Sequence, residues 1–162
     1  MDLTSAGSLK KYFLPNVFQK AGLVLVIAGA VFTYLRFGAG IKPGFLNTKV
    51  YAVYSTYFDT KYFRFIDNNI SEEICGLTIL IGLFLVAFSR EKHEKEQYWE
   101  YRLKSFILSS YLSLVFLLLT FVFVFGIAFF NILSIYIILP LLIYILIFRY
   151  YLYKERISLQ RS

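Results

Sequence analysis

Arg90-Glu91-Lys92-His93-Glu94-Lys95-Glu96-Gln97-Tyr98-Trp99-Glu100-Tyr101-Arg102-Leu103-Lys104 is a strongly charged segment set between two long apolar runs. A charge at the centre of a membrane helix costs about 3 kcal/mol, so a segment with five basic and four acidic side chains cannot lie in hydrocarbon. The chain on either side of it is therefore expected to form two separate spans that surface at one membrane face. The rest of the organisation can be counted outward from this connector.

Composition supports that frame. Of the 162 residues, 59% are hydrophobic and 20% aromatic, well above the apolar share of soluble domains. The formal charge of +7 has the sign of a nucleic-acid binder, but the basic residues flank apolar runs instead of lining one face. That is the pattern of topology-setting charge, and nucleic acid is not an expected partner. Cys75 is the single cysteine, so no intrachain disulfide can form.

The fold class expected is an all-α membrane protein, one integral domain over 1–162. It is a four-transmembrane-helix bundle with spans at about 17–36, 74–90, 104–126 and 132–151. An outer loop, 37–73, and an inner connector, 91–103, join them. Before the first span, Lys10, Lys11, Lys20 and nearby aromatics surround Pro15-Asn16, as in a short interfacial lead-in. Ala28-Gly29-Ala30 resembles a signal-peptide cleavage site. The apolar core before it, Leu23 to Ile27, is shorter than the roughly 7 to 15 residues such a region needs, so an uncleaved helix is expected. Gly22 and Gly29 lie two turns apart and offer one face for close helix packing.

In the outer loop, Lys49–Ser55 (KVYAVYS) and Lys61–Asp67 (KYFRFID) alternate in part and are rich in Val, Tyr and Phe. They predict a small extracytoplasmic β-hairpin with Tyr51, Val53, Phe63 and Phe65 on its aromatic face. Ser71 followed by Glu72 and Glu73 predicts a helix start with a capping hydroxyl and two carboxylates at the positive end of the dipole. The charged connector is expected to continue the second helix past the headgroups, with Tyr98, Trp99 and Tyr101 as belt aromatics where the apolar run resumes. His93 has no histidine partner anywhere in the chain, and no metal or cofactor is expected.

In the third span Ser105, Ser109, Ser113 and Thr120 form a polar stripe that reads as interhelical glue. The apolar run then goes on to Phe148, too long for one crossing at about 1.5 Å per residue. A bend is expected at Gly126 to Asn131, with Pro140 as a kink in the fourth span.

With four spans, twelve Lys and Arg fall on the side of both termini and the connector, and Arg36, Lys42, Lys49, Lys61 and Arg64 on the other. Excess basic charge in cytoplasmic segments places both termini in the cytoplasm of a multi-pass inner-membrane protein. No Asp, Glu, Lys, Arg or His stands in the middle of a span, which argues against a pump, a proton-coupled carrier or an embedded hydrolase. The function expected is non-enzymatic, an interaction or regulatory partner of another protein, with membrane lipid around it and a protein partner or second copy at a surface formed by Glu91, Lys92, Lys95, Glu96, Trp99 and Arg102. The rival readings are a small oligomeric transporter or channel lined by Ser109, Ser113 and Thr120, and a lipid-interface enzyme using Glu72 and Glu73.

Ser71-Glu72-Glu73-Ile74, Leu85-Val86-Ala87-Phe88-Ser89-Arg90-Glu91-Lys92, Arg102-Leu103-Lys104-Ser105 and Phe125-Gly126-Ile127-Ala128-Phe129-Phe130-Asn131 together resemble a group of uncharacterised bacterial four-span inner-membrane proteins of this length. The resemblance covers most of the chain and implies no catalytic residue. It also implies a neighbouring helix-turn-helix regulator, and hence a membrane component of a regulatory pair.

The topology is checked by labelling single introduced cysteines in intact cells. A thiol replacing Thr60 should react with a membrane-impermeant reagent from outside, and one replacing Glu96 only after the membrane is opened.

Overall fold

In the computed structural model, described for residues 13–55, 61–92 and 94–161, helices dominate. Five α-helices are present among the described residues: α1 Asn16–Thr33, α2 Ser71–Ala87, α3 Gln97–Phe123, α4 Ile127–Tyr136 and α5 Leu139–Arg161. A two-stranded antiparallel sheet, β1 Asn47–Ser55 and β2 Lys61–Asn69, lies between α1 and α2 in the chain. The chain divides into two compact units, one holding it up to Val24 and from Leu80 onward, the other comprising Leu25–Ile79.

Among the described residues two helices are long and apolar enough to cross a membrane: α1 with the π-helical turn that extends it, Asn16–Gly38, mean hydropathy 1.8, and α3, mean hydropathy 2.4. Helix α2 has 17 residues, about 26 Å of axis against a hydrocarbon core of about 30 Å. Helices α4 and α5 form a further apolar stretch bent by 44°.

Several boundaries depart from the sequence reading, each for a local reason. Helix α2 stops at Ala87 instead of running through the connector, because Leu14 forms a short parallel bridge to Ser89. Leu14 N–H donates to Phe88 O and Arg90 N–H to Leu14 O, both at 2.9 Å, so these residues serve a strand-like pairing. The described residues of the connector are consequently non-helical until Gln97, where the sequence reading expects the second helix to continue; Glu100 and Lys104, inside α3, approach to 3.6 Å. Helix α3 ends before the expected bend, with Val124 extended and Gly126 at φ 71°, ψ −146°, a conformation open essentially to glycine alone. Residues 127–131 are already helix.

The stretch expected as one kinked fourth span is broken outright at Ile137-Ile138. Pro140 has no N–H for the carbonyl of Tyr136, so the ladder cannot continue through it. Ile138 N–H closes a tighter turn onto Ile135 O at 3.1 Å, and Leu142 N–H resumes the helix on Ile138 O at 3.1 Å.

In the unit Leu25–Ile79, the strands reach two residues beyond the predicted ends, and the connecting residues 56–60 lie outside the described ones. The register pairs Lys49 with Asp67, Tyr51 with Phe65 and Tyr54 with Tyr62. It thus sets opposite charges and aromatic rings directly across from each other, with centroids at 5.3 Å in both ring pairs. The predicted face holds together as Tyr51 and Phe65 but stays exposed. Phe63 sits at φ 49°, and no partner for it appears in the ladder. Asn69 takes the capping position of α2: its Oδ1 accepts Ser71 N–H at 3.2 Å. The Ser71 hydroxyl, expected in that role, instead accepts from Arg36 Nε at 3.0 Å, and Arg36 also pairs with Glu72.

The glycines of α1 meet α2 within each unit. A Cβ on Gly22 would lie 2.7 Å from Gly82 O, and one on Gly29 would lie 2.6 Å from the Ile79 side chain. Gly76, on α2, has nothing within 4 Å of that position. Gly22→Ala should therefore lower the stability of the detergent-solubilised protein by about 1 to 3 kcal/mol through overpacking. Gly76→Ala should raise it by up to about 1 kcal/mol through helix propensity. Opposite shifts of the thermal midpoint are the check.

Candidate functional site

Every α-helix ends in carbonyls that lack an intrahelical donor, and those carry the negative end of the helix dipole. At the end of α2 that need is met by a side chain from α3. Arg102 donates from one terminal nitrogen to Ala87 O at 3.2 Å and from the other to Ser89 O at 2.8 Å. The same guanidinium reaches Tyr144 Oη on α5 at 3.3 Å and, through Nε, Glu94 Oε1 in the connector at 3.2 Å. Its two faces are covered by the rings of Phe13 and Phe148, each centroid 4.5 Å away. At 3% exposure it is the one charged residue that is buried among the described residues.

This arrangement draws together the lead-in, the end of α2, the connector, the start of α3 and the middle of α5. A planar fork with donors in fixed directions suits it, where an ammonium would supply a point charge without the fit to two carbonyls and two rings. Outer contacts tighten the same junction. Asn16 Nδ2 donates to Arg90 O at 2.9 Å and Gln19 Nε2 to Glu91 Oε1 at 2.6 Å, while Arg149 pairs with Glu91 at 3.2 Å. Lys95 donates to Glu155 Oε1 at 2.8 Å. That hydrogen bond holds the Lys95 ammonium above the ordinary lysine value, so the contact is fully formed at neutral pH and is lost only as pH rises through the raised value.

The six residues expected to face a partner divide accordingly. Lys92, Lys95 and Glu96 are exposed. Glu91 is turned inward on Gln19 and Arg149, Trp99 is half-buried edge-on to Phe13 at 6.0 Å, and Arg102 is buried. The assignment of Arg102 to a partner surface is therefore corrected. Its signal was available: Arg102 lies three residues before Ser105 and seven before Ser109, on the same face as the polar stripe.

Ser105, Ser109, Ser113 and Thr120 are, with Arg102, the buried residues of α3, and α5 is the helix against which α3 chiefly packs. Their hydroxyls serve their own helix: Ser105 donates to Tyr101 O at 2.6 Å, Ser109 to Phe106 O and Thr120 to Phe116 O, both at 2.9 Å. The Ser113 hydroxyl has no partner among the described residues. The stripe thus acts by being small, letting the helices approach, rather than through bonds across the interface. Of the carboxylates considered for interfacial catalysis, Glu72 pairs with Arg36 and Glu73 accepts from Asn68 Nδ2 at 3.0 Å.

Below the junction an apolar cleft of about 240 Å³ runs between α3 and the start of α5. Among the described residues no three His, Cys, Asp or Glu side chains cluster to hold a metal ion; His93 lies outside them. Comparison with protein-family models, with curated proteins and with solved structures yields no match.

Arg102→Ala would strand two carbonyls and Glu94 at once. A loss of about 3 kcal/mol or more is expected, read from chemical unfolding in detergent. Arg102→Lys should recover less than half of it, and Phe148→Leu should cost about 0.5 to 2 kcal/mol.

Proposed function

We propose that this chain is a four-span, multi-pass protein of a bacterial inner membrane that acts without catalysis, by presenting its inner connector to a protein partner. The observation that carries the membrane part is the surface of α3. Its buried positions form one narrow stripe, while Phe106, Leu112, Leu118, Phe121 and Val122 are 48% to 61% exposed around the rest of the helix, a pattern that a hydrocarbon solvent favours. Helix α2 becomes a span when Ile70 and Phe88 at its ends are counted with it, and α4 with α5 makes a broken fourth. The excess of Lys and Arg beside the termini and connector supports a cytoplasmic placement of both.

The interaction part rests on the state of the connector. It is fixed at Glu91, Glu94, Lys95 and Arg102 by the contacts above, and so holds Lys92 and Glu96 out on a defined scaffold. A fixed loop binds with less loss of conformational entropy than a free tether. The resemblance to bacterial four-span proteins suggests the partner class, a helix-turn-helix regulator.

The test is recovery of cross-linked partner from membranes. Lys92→Ser combined with Glu96→Ser should reduce recovery and weaken its dependence on salt, as loss of rim charge does, with the thermal midpoint unchanged. Recovery equal to that of the native chain would count against the reading.

A further inference from the structure

We infer that the cleft below Arg102 is a seat for one acyl chain of a diacyl phospholipid from the leaflet on the connector side. This rests on the membrane reading above and goes beyond it by assigning a particular lipid site.

Three features lead there. The first is shape. The α3 residues lining the cleft extend from Trp99 through Phe106 to Ser110, about 16 Å of helix axis, or roughly half the thickness of the hydrocarbon core. The slot therefore starts at the aromatic belt and enters the hydrocarbon beside it for about 9 Å past the start of the span, the path of the carboxyl-end segment of a chain in one leaflet. Pro140 and Leu141 line its other wall, just after the break before α5.

The second feature is volume. At about 240 Å³ it exceeds the roughly 150 Å³ of an apolar cavity that admits benzene, so a segment longer than six carbons fits. The third is polarity. Trp99 lines the interfacial end, and its indole Nε1–H is buried without an acceptor among the described residues. A buried donor without a partner costs free energy. A tryptophan at this level commonly has one end apolar and the other near polar groups, such as the ester carbonyls at the head of phospholipid chains.

Trp99 is the only tryptophan in the chain, so its fluorescence reports on the slot directly. The full-length protein, in micelles of an unbrominated detergent, is titrated with phosphatidylethanolamine brominated near the carboxyl end of its acyl chains. Quenching should saturate at a single lipid per chain. Ser110→Phe and Leu141→Phe, made separately so that one misfolded variant does not decide the matter, each fill the slot. Each should abolish the saturable phase while leaving the thermal midpoint at or above that of the native chain. Native mass spectrometry should likewise show one retained phospholipid for the native chain and none for the folded variant.

Quenching that grows in proportion to the lipid fraction of the micelle in the native chain, or saturation unchanged in a folded variant, overturns the site. Failure of the underlying membrane reading looks different: the chain would be extracted from membranes by alkaline carbonate, and Trp99 would be unquenched at any lipid ratio.

Discussion

A helix leaves its last carbonyls without an intrahelical donor, and at the end of α2 Arg102 supplies one. One guanidinium satisfies the carbonyls of Ala87 and Ser89, pairs with Glu94, reaches the Tyr144 hydroxyl and fits between Phe13 and Phe148. Burying a charge is costly unless every face of it is met, and here opposite charge, a dipole end, a hydroxyl and two aromatic faces meet it together. The short bridge from Leu14 to Ser89 belongs to the same economy of backbone groups. It takes the donors and acceptors that a continuing helix would have used, so α2 stops and the connector folds back.

Packing away from that junction depends on small side chains more than on polar bonds. Gly22 lies against Gly82, and Gly29 against Ile79, so closely that a single methyl group would collide. The hydroxyls of Ser105, Ser109 and Thr120 bond within α3, which satisfies them wherever the helix lies. What they contribute to the contact is reduced bulk. Van der Waals contact along such closely apposed faces is the attraction they provide.

The break between α4 and α5 has a functional reading as well as a structural one. Pro140 removes one rung of hydrogen bonding, and the redirected start of α5 leaves the slot that runs from Trp99 toward Ser110. Arg102 lines that slot one helical turn from Trp99, which joins the stability of the junction to the shape of the proposed lipid seat.

Much of this was open to reading in the amino-acid order alone. Charge against apolar length located the connector. Period-two alternation located the hairpin and put Tyr51 and Phe65 on its aromatic face. Residue size marked the face of Gly22 and Gly29, and polarity marked the serine stripe. These are local or one-dimensional properties, carried by neighbouring residues whatever the rest of the chain does. The role of Arg102, the early stop of α2 at Ala87 and the transfer of the cap from Ser71 to Asn69 were decided by tertiary structure. Each depends on which donor arrives beside which acceptor from a distant part of the chain, Leu14 at Phe88, Arg36 at Ser71 and Arg102 at Ala87, and only the folded packing brings those groups within bonding distance.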